Sequence, residues 1–208
     1  MADLEEIADH VINGEKEETA QAVQDAVDEG VDPQEILNEG LTAGMDVIGK
    51  RFKANEVYVP EVLISARAMH AGMDIIEPLL AESDAEPTGT VVLGTVNGDL
   101  HDIGKNLVNM MLRGSGFKVH DVGIDVEAEE FVQKAQETGA EIVGLSALLT
   151  TTMPEMETVI EALEEAGVDT NVIIGGAPVT EEYADEIGAD GYAADAATAV
   201  DEAKKLMG

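Results

Sequence analysis

A histidine set between two aspartates and closed by a glycine stands in Gly98-Asp99-Leu100-His101-Asp102-Ile103-Gly104, directly after the apolar run TVVLGTV (90–96). An imidazole there can serve as a base or ligate a metal, and a carboxylate two residues away can set its tautomer and orientation. Two further stretches are unusual. Ser146-Ala147-Leu148-Leu149-Thr150-Thr151-Thr152 puts hydroxyls at the end of an apolar run, and Gly175-Gly176-Ala177-Pro178 puts bare backbone at the end of another.

Several common chemistries need residues that this chain lacks. Gly98 through Gly104-Lys105-Asn106 is not a phosphate loop: five residues separate the glycines where four are needed, and Asn106 replaces the magnesium-binding Ser or Thr. The G-x-G-x-x-G dinucleotide fingerprint is absent from this turn. Ser146 lies in LSALLT, with no nucleophile elbow around it. Cysteine is absent, and His10, His70 and His120 lie on other elements, so a zinc site lacks ligands. A metal held inside a macrocycle needs only one axial protein ligand, and His101 with Asp99 behind it can supply that. Gly104 would let a helix start close to a bulky planar ligand. The bare Gly175-Gly176 would leave a slot beside the preceding strand for a flat ring with a tail.

These stretches must be brought together by the fold. From residue 4 to about 81 the chain carries helical periodicity in LEEIADHVI, ETAQAVQDAVDEG, PQEILNEGLTAGMDVIGKRF and VPEVLISARAMHAGMDIIEPLL. Gly14, Gly30 with Asp32-Pro33, and KANE (53–56) punctuate them, and Pro33 and Pro60 suit early helical positions. The expectation is an N-terminal four-helix bundle over residues 1–85, with Met45, Met69 and Met73 in its core. AESDAEPTG (81–89) reads as a linker. From 88 to 208, short apolar runs (TVVLGTV, FKVHDVG, EIVGLSAL, NVIIGGA, DGYAAD) alternate with amphipathic stretches, which predicts an α/β domain: a Rossmann/flavodoxin-like (βα)5 parallel sheet. In the common order 2-1-3-4-5, strands 1, 3 and 4 are neighbours, and ligands bind at their carboxyl ends. The three unusual stretches would then meet on one edge. Asp102 and Asn106 read as helix-start residues.

Asp99-x-His101-x-x-Gly104, Ser146-x-Leu148 and Gly175-Gly176, separated by positions 105–145 and 149–174, resemble the cobalamin-binding module of methionine synthase and of the small corrinoid proteins of methyltransferase systems. GMDVIGKRF, VYVPEVL and ARAMHAGMDIIEPLL are similar to the helical cap that precedes that module. The resemblance implies a cobalamin or related corrinoid bound base-off/His-on, with His101 as the cobalt ligand. Asp99 would bond the far nitrogen of His101, and Thr152 would complete the relay where the methionine synthase pattern has serine. Asp102, Gly104, Ser146, Leu148, Thr150, Gly175 and Gly176 would join Asp99 and His101 in holding the cofactor.

The implied function is a methyl carrier. It would accept a methyl group on Co(I) from a methylated substrate through a substrate-specific methyltransferase, then pass it to a second, methyl-accepting methyltransferase. A B12-binding subunit of an adenosylcobalamin-dependent mutase and a corrinoid sensor are the alternatives. The mutase lacks a substrate barrel here, and the sensor lacks a basic recognition helix.

Charge bounds the partners. With 44 acidic against 11 basic residues the net charge is −33, which disfavours nucleic acid and anionic membrane surfaces alike. The simplest reading is a heavily solvated acidic surface suited to high salt. No apolar run reaches spanning length and the N-terminus carries no secretory pattern, so a cytoplasmic protein is expected.

Overall fold

The computed structural model describes residues 3–82 and 87–208. Contacts divide the chain into two compact units, one built from the N-terminal helices and taking in Gly114–Gly116, the other from residues 87–113 and 117–208. Residues 83–86 of the stretch read as a linker lie outside the described residues.

The first unit is helical. Helix α1 (Leu4–Asn13) starts on the Asp3 carboxylate, which accepts from the Glu5 N–H. Helix α2 (Lys16–Asp28) follows, then a single turn, α3 (Pro33–Glu35), capped by Asp32. The stretch expected as one α-helix over 33–52 is interrupted: Ile36–Thr42 is a π-helix before α4 (Ala43–Lys53) resumes. Ile36 and Leu41, five residues apart, are both 0% exposed. An i to i+5 turn keeps them on one face where an α-helix would separate them. Helix α5 (Val59–Glu82) completes the unit, and Met45 and Met69 are buried in its core.

The second unit alternates strands and helices. Strands β1 (Thr90–Val96), β2 (Lys118–Val126), β3 (Ile142–Ser146), β4 (Asn171–Gly175) and β5 (Gly191–Ala193) form one parallel sheet in the order β2-β1-β3-β4-β5. Between and after them run α6 (Ile103–Gly114), α7 (Ala128–Thr138), α8 (Pro154–Glu165), α9 (Glu181–Ile187) and α10 (Ala196–Met207). Val92, Val143, Leu145 and Ile174 of the central strands pack with Phe131 of α7 and Met156 and Val159 of α8. Each large side chain so buried stabilises the fold by roughly 1.5–3 kcal/mol. Strand β2 runs on to Val126, past the expected end at 123, through register shifts opposite Gly94. A side chain at Gly94 would sit 2.6 Å from the Phe131 ring, so glycine makes room for that ring. No helix among the described residues is long and apolar enough to cross a membrane.

Candidate functional site

Sheet register sets up the site. Thr95 pairs with Ser146, and Ser146 with Gly175, so β1, β3 and β4 end side by side and their loops leave the same edge.

The loop after β1 turns at Gly98 (φ 76) and buries the Asp99 side chain completely, at 0% exposure. Five donors converge on that carboxylate. Its Oδ1 accepts from the His101 N–H (3.1 Å) and from His101 Nδ1 (2.7 Å). Its Oδ2 accepts from the Leu148 and Leu149 N–H groups (2.7 and 3.2 Å) and from Thr152 Oγ1 (2.8 Å). Burial pushes the Asp99 carboxyl up, but bonds from Leu148, His101 and Thr152 outweigh it and hold the group well below the usual carboxylate range. Asp99 is therefore an ionised acceptor at neutral pH, and the proton between it and the imidazole rests on His101 Nδ1. The ring itself is 51% exposed, with Nε2 on the side away from the carboxylate.

The main chain of this loop is held as well. Thr95 Oγ1 donates to the His101 carbonyl (2.9 Å), the Asp125 N–H donates to the Asp99 carbonyl (3.0 Å), and the Gly98 N–H donates to Asp125 Oδ1 (2.7 Å). Asp125 makes both contacts in the left-handed region, at φ 55, which is uncommon for a residue other than glycine. One turn into α6, Lys105 is buried and its ammonium meets Asp121 Oδ2 of β2 at 2.5 Å.

Of the residues singled out from sequence, Asp99, His101, Leu148 and Thr152 meet directly. Ser146 ends β3 in the row described above, and Thr150 lies exposed in the turn before Thr152. Asp102 is spent on helix α6, where its Oδ2 accepts from Asn106 Nδ2 (3.0 Å); no hydrogen bond among the described residues links it to the Asp99–His101 pair. Gly175 and Gly176 stand where the ends of β3 and β4 come close together. A side chain at Gly176 (φ 138) would lie 1.8 Å from the Ala147 carbonyl oxygen, and the Ala147 N–H donates to the Gly175 carbonyl (3.2 Å). The bare backbone at 176 is thus filled by the β3 loop. His10 bonds Glu15 Oε2 (2.7 Å), an ordinary surface pairing.

Sequence reasoning missed Thr95, Asp125 and Lys105. Thr95 was signalled only as a polar break in an apolar strand, and Lys105 by its i, i+3, i+7 spacing with Val108 and Leu112. Nothing in the sequence marks the backbone conformation of Asp125.

Two observations bear on a cofactor. Among the described residues of the second unit, the large apolar side chains left exposed are Leu100, Ile103, Ile124, Leu148 and Leu149, all at or near this edge. An apolar patch around a tethered imidazole suits a large planar group with a metal at its centre. Gly104 adds a second: a side chain built there would meet nothing within 4 Å. A glycine in a helix costs roughly 0.5–1 kcal/mol against alanine, and no packing among the described residues calls for it. No cluster of three or more His, Cys, Asp or Glu side chains placed to hold a free metal ion exists among the described residues.

Comparison with known families agrees with this geometry. Residues 89–201 match a B12 binding domain family, and residues 3–77 match a second B12 binding domain family. The chain belongs to the B12-binding domain family. Within it, the chain is 47% identical over 207 residues to dimethylamine corrinoid protein 1 of Methanosarcina acetivorans, covering 98% of this chain and 97% of that one. The crystal structure of a cobalamin-binding protein from Desulfitobacterium hafniense is similar over 100% of both chains, with a TM-score of 0.82 and 33% identity. A chain of the methanol:cobalamin methyltransferase complex of Methanosarcina barkeri is similar with a TM-score of 0.88 and 31% identity, over 98% of this B12-binding chain and 79% of that one.

Proposed function

We propose that this protein is the corrinoid carrier of a methyltransferase system, and that it holds the corrinoid base-off/His-on through His101. The observation that carries the reading is the Thr152–Asp99–His101 relay, which ends in a half-exposed imidazole amid exposed apolar side chains. The bound corrinoid would supply cobalt that accepts and then gives up a methyl group.

The residues divide the work of holding it. His101 would present Nε2 to the metal, with Asp99 fixing the ring from behind at Nδ1, the arrangement that sets tautomer and orientation. Thr152 and the Leu148 and Leu149 amides hold the carboxylate charged. Gly104 gives clearance beside the ring. Ser146 and Thr150 would offer hydroxyls to the displaced nucleotide tail with Leu148 beside them, while Gly175 and Gly176 let the ends of β3 and β4 lie close together.

A carrier needs one enzyme to load it and another to unload it. The relative named for dimethylamine and the neighbour solved in a methanol:cobalamin methyltransferase complex support a substrate-specific methyltransferase as the first partner, and a second, methyl-accepting one follows from the carrier reading itself.

The test is an ultraviolet–visible spectrum of the protein loaded with hydroxocobalamin, beside His101→Ala. The wild type should retain the corrinoid with the base-off/His-on signature, and H101A should lose that signature while remaining folded. Failure of the folded wild type to retain corrinoid would sink the carrier reading.

A further inference from the structure

We propose that Thr95, which lies outside the D-x-H-x-x-G stretch, is a positioning residue for the axial histidine and acts through the His101 main chain. This rests on the reading of His101 as the cobalt ligand.

Thr95 sits inside β1, 0% exposed, among Val91, Val92, Leu93 and Val96. Packing alone is served there by valine, which has the same shape. A buried hydroxyl is costly unless it is bonded, so its presence demands a partner. That partner is the His101 carbonyl, six residues on and 2.9 Å away.

The geometry gives this bond a purpose. Asp99 grips His101 twice, at the main-chain N–H and at Nδ1, but both bonds end on the single atom Oδ1. Two bonds to one atom define a pivot and leave the residue free to swing about it. The Thr95 bond takes hold of a third atom, the carbonyl oxygen, from β1, and removes that swing. Thr95 also pairs in register with Ser146, so the fixed point belongs to the rigid sheet and not to a loop. Asp99 thus sets how the ring is turned, and Thr95 sets where its main chain stands.

The experiment uses the full chain and compares Thr95→Val, which keeps the shape and removes the hydroxyl, with Thr95→Ser, which keeps the hydroxyl. Each is loaded with hydroxocobalamin, and release of the histidine from cobalt is followed by absorbance as the pH is lowered. T95S should track the wild type. T95V should bind corrinoid and unfold in urea close to the wild type, yet release the histidine at a pH roughly 0.7 higher, about a fivefold weakening and the weight of one ordinary hydrogen bond. Coincident titrations for wild type and T95V would overturn the proposal. A second measurement needs neither variant nor corrinoid: by nuclear magnetic resonance, the Thr95 hydroxyl proton should exchange slowly and lie near the His101 main chain. Its absence would overturn the proposal even if T95V did not fold. A wild type that never shows the His-on spectrum defeats the ligand reading instead, and that outcome is separate from both.

Discussion

Asp99 and Thr152 stand 53 positions apart in the chain and share a hydrogen bond of 2.8 Å between Oδ2 and Oγ1, both side chains buried. The hydroxyl is also 2.9 Å from the Leu149 carbonyl, so one side chain ties the carboxylate to the turn that carries two of its other donors. Thr152→Val should cost about 1–3 kcal/mol, the penalty for removing a donor from a buried charged acceptor, whereas Thr152→Ser should cost under 1 kcal/mol. Urea denaturation of the two variants beside the wild type measures the difference.

Asp99→Asn should be the most damaging of the relay substitutions. All five groups around the carboxylate are donors, and an amide presents an NH2 to one side of that ring of donors. A loss of roughly 3 kcal/mol or more is expected, because a buried network is broken from its centre. His101→Ala should cost less, since the ring is half-exposed and four of the five donors remain. Midpoints of urea unfolding that place H101A below D99N would contradict this order.

The depressed Asp99 ionisation makes stability depend on pH with a definite sign. Its contribution is present in full above the ordinary carboxylate value near 4 and is lost as the pH falls below that toward its lower folded value. Many other carboxylates titrate over the same range, so the informative quantity is the difference between wild type and D99N. That difference should be largest above pH 5 and should shrink steadily on acidification. A gap that stays constant to pH 3 would count against a strongly held charge at Asp99.

Two glycines should respond in opposite ways to alanine. Gly176→Ala drives a methyl group into the Ala147 carbonyl at a left-handed φ and should cost several kcal/mol. Gly104→Ala meets nothing and should stabilise the unloaded protein by about 0.5–1 kcal/mol, while weakening corrinoid retention. Melting of the unloaded variants and gel filtration of the loaded ones separate the two effects. An unloaded G104A less stable than wild type would show that the open space is used by the protein itself.

A net charge of −33 predicts salt-dependent stability. Self-repulsion should fall as the screening length shrinks from about 10 Å at 0.1 M to about 3 Å at 1 M. The urea midpoint should therefore climb over that range of potassium chloride and then level off. A midpoint independent of salt would show that the acidic groups are spaced well enough not to interact.

The sheet was legible because its strands read as apolar runs of strand length, and the order β2-β1-β3-β4-β5 is the common one for five alternating units. The meeting of Asp99, His101 and Thr152 was legible as well, though only through family resemblance, since no local pattern says which hydroxyl reaches Asp99. Other features carry no sequence signature. The Leu148 and Leu149 donors are main-chain amides, which every residue but proline possesses, and the left-handed turn at Asp125 is imposed by its two bonds to the Gly98–Asp99 segment. Spacing of three and four in Ile36–Thr42 fits an α-helix on paper, and only burial of both Ile36 and Leu41 reveals the wider turn. The Gly175-Gly176 pair reads as bare backbone, and no sequence pattern shows that the Ala147 carbonyl lies where a Gly176 side chain would stand.

The distance along the chain between Asp99 and its donors has a consequence for synthesis. A ribosome adding roughly 5–20 residues per second delivers Leu148, Leu149 and Thr152 several seconds after Asp99. Until the turn after β3 emerges, the aspartate lacks three of its five donors, and the imidazole is turned by a carboxylate held only on its Oδ1 side. Corrinoid capture by this route belongs to the late nascent chain or the released protein, so a ribosome stalled before codon 146 should display the whole D-x-H-x-x-G stretch and still be blind to the cofactor.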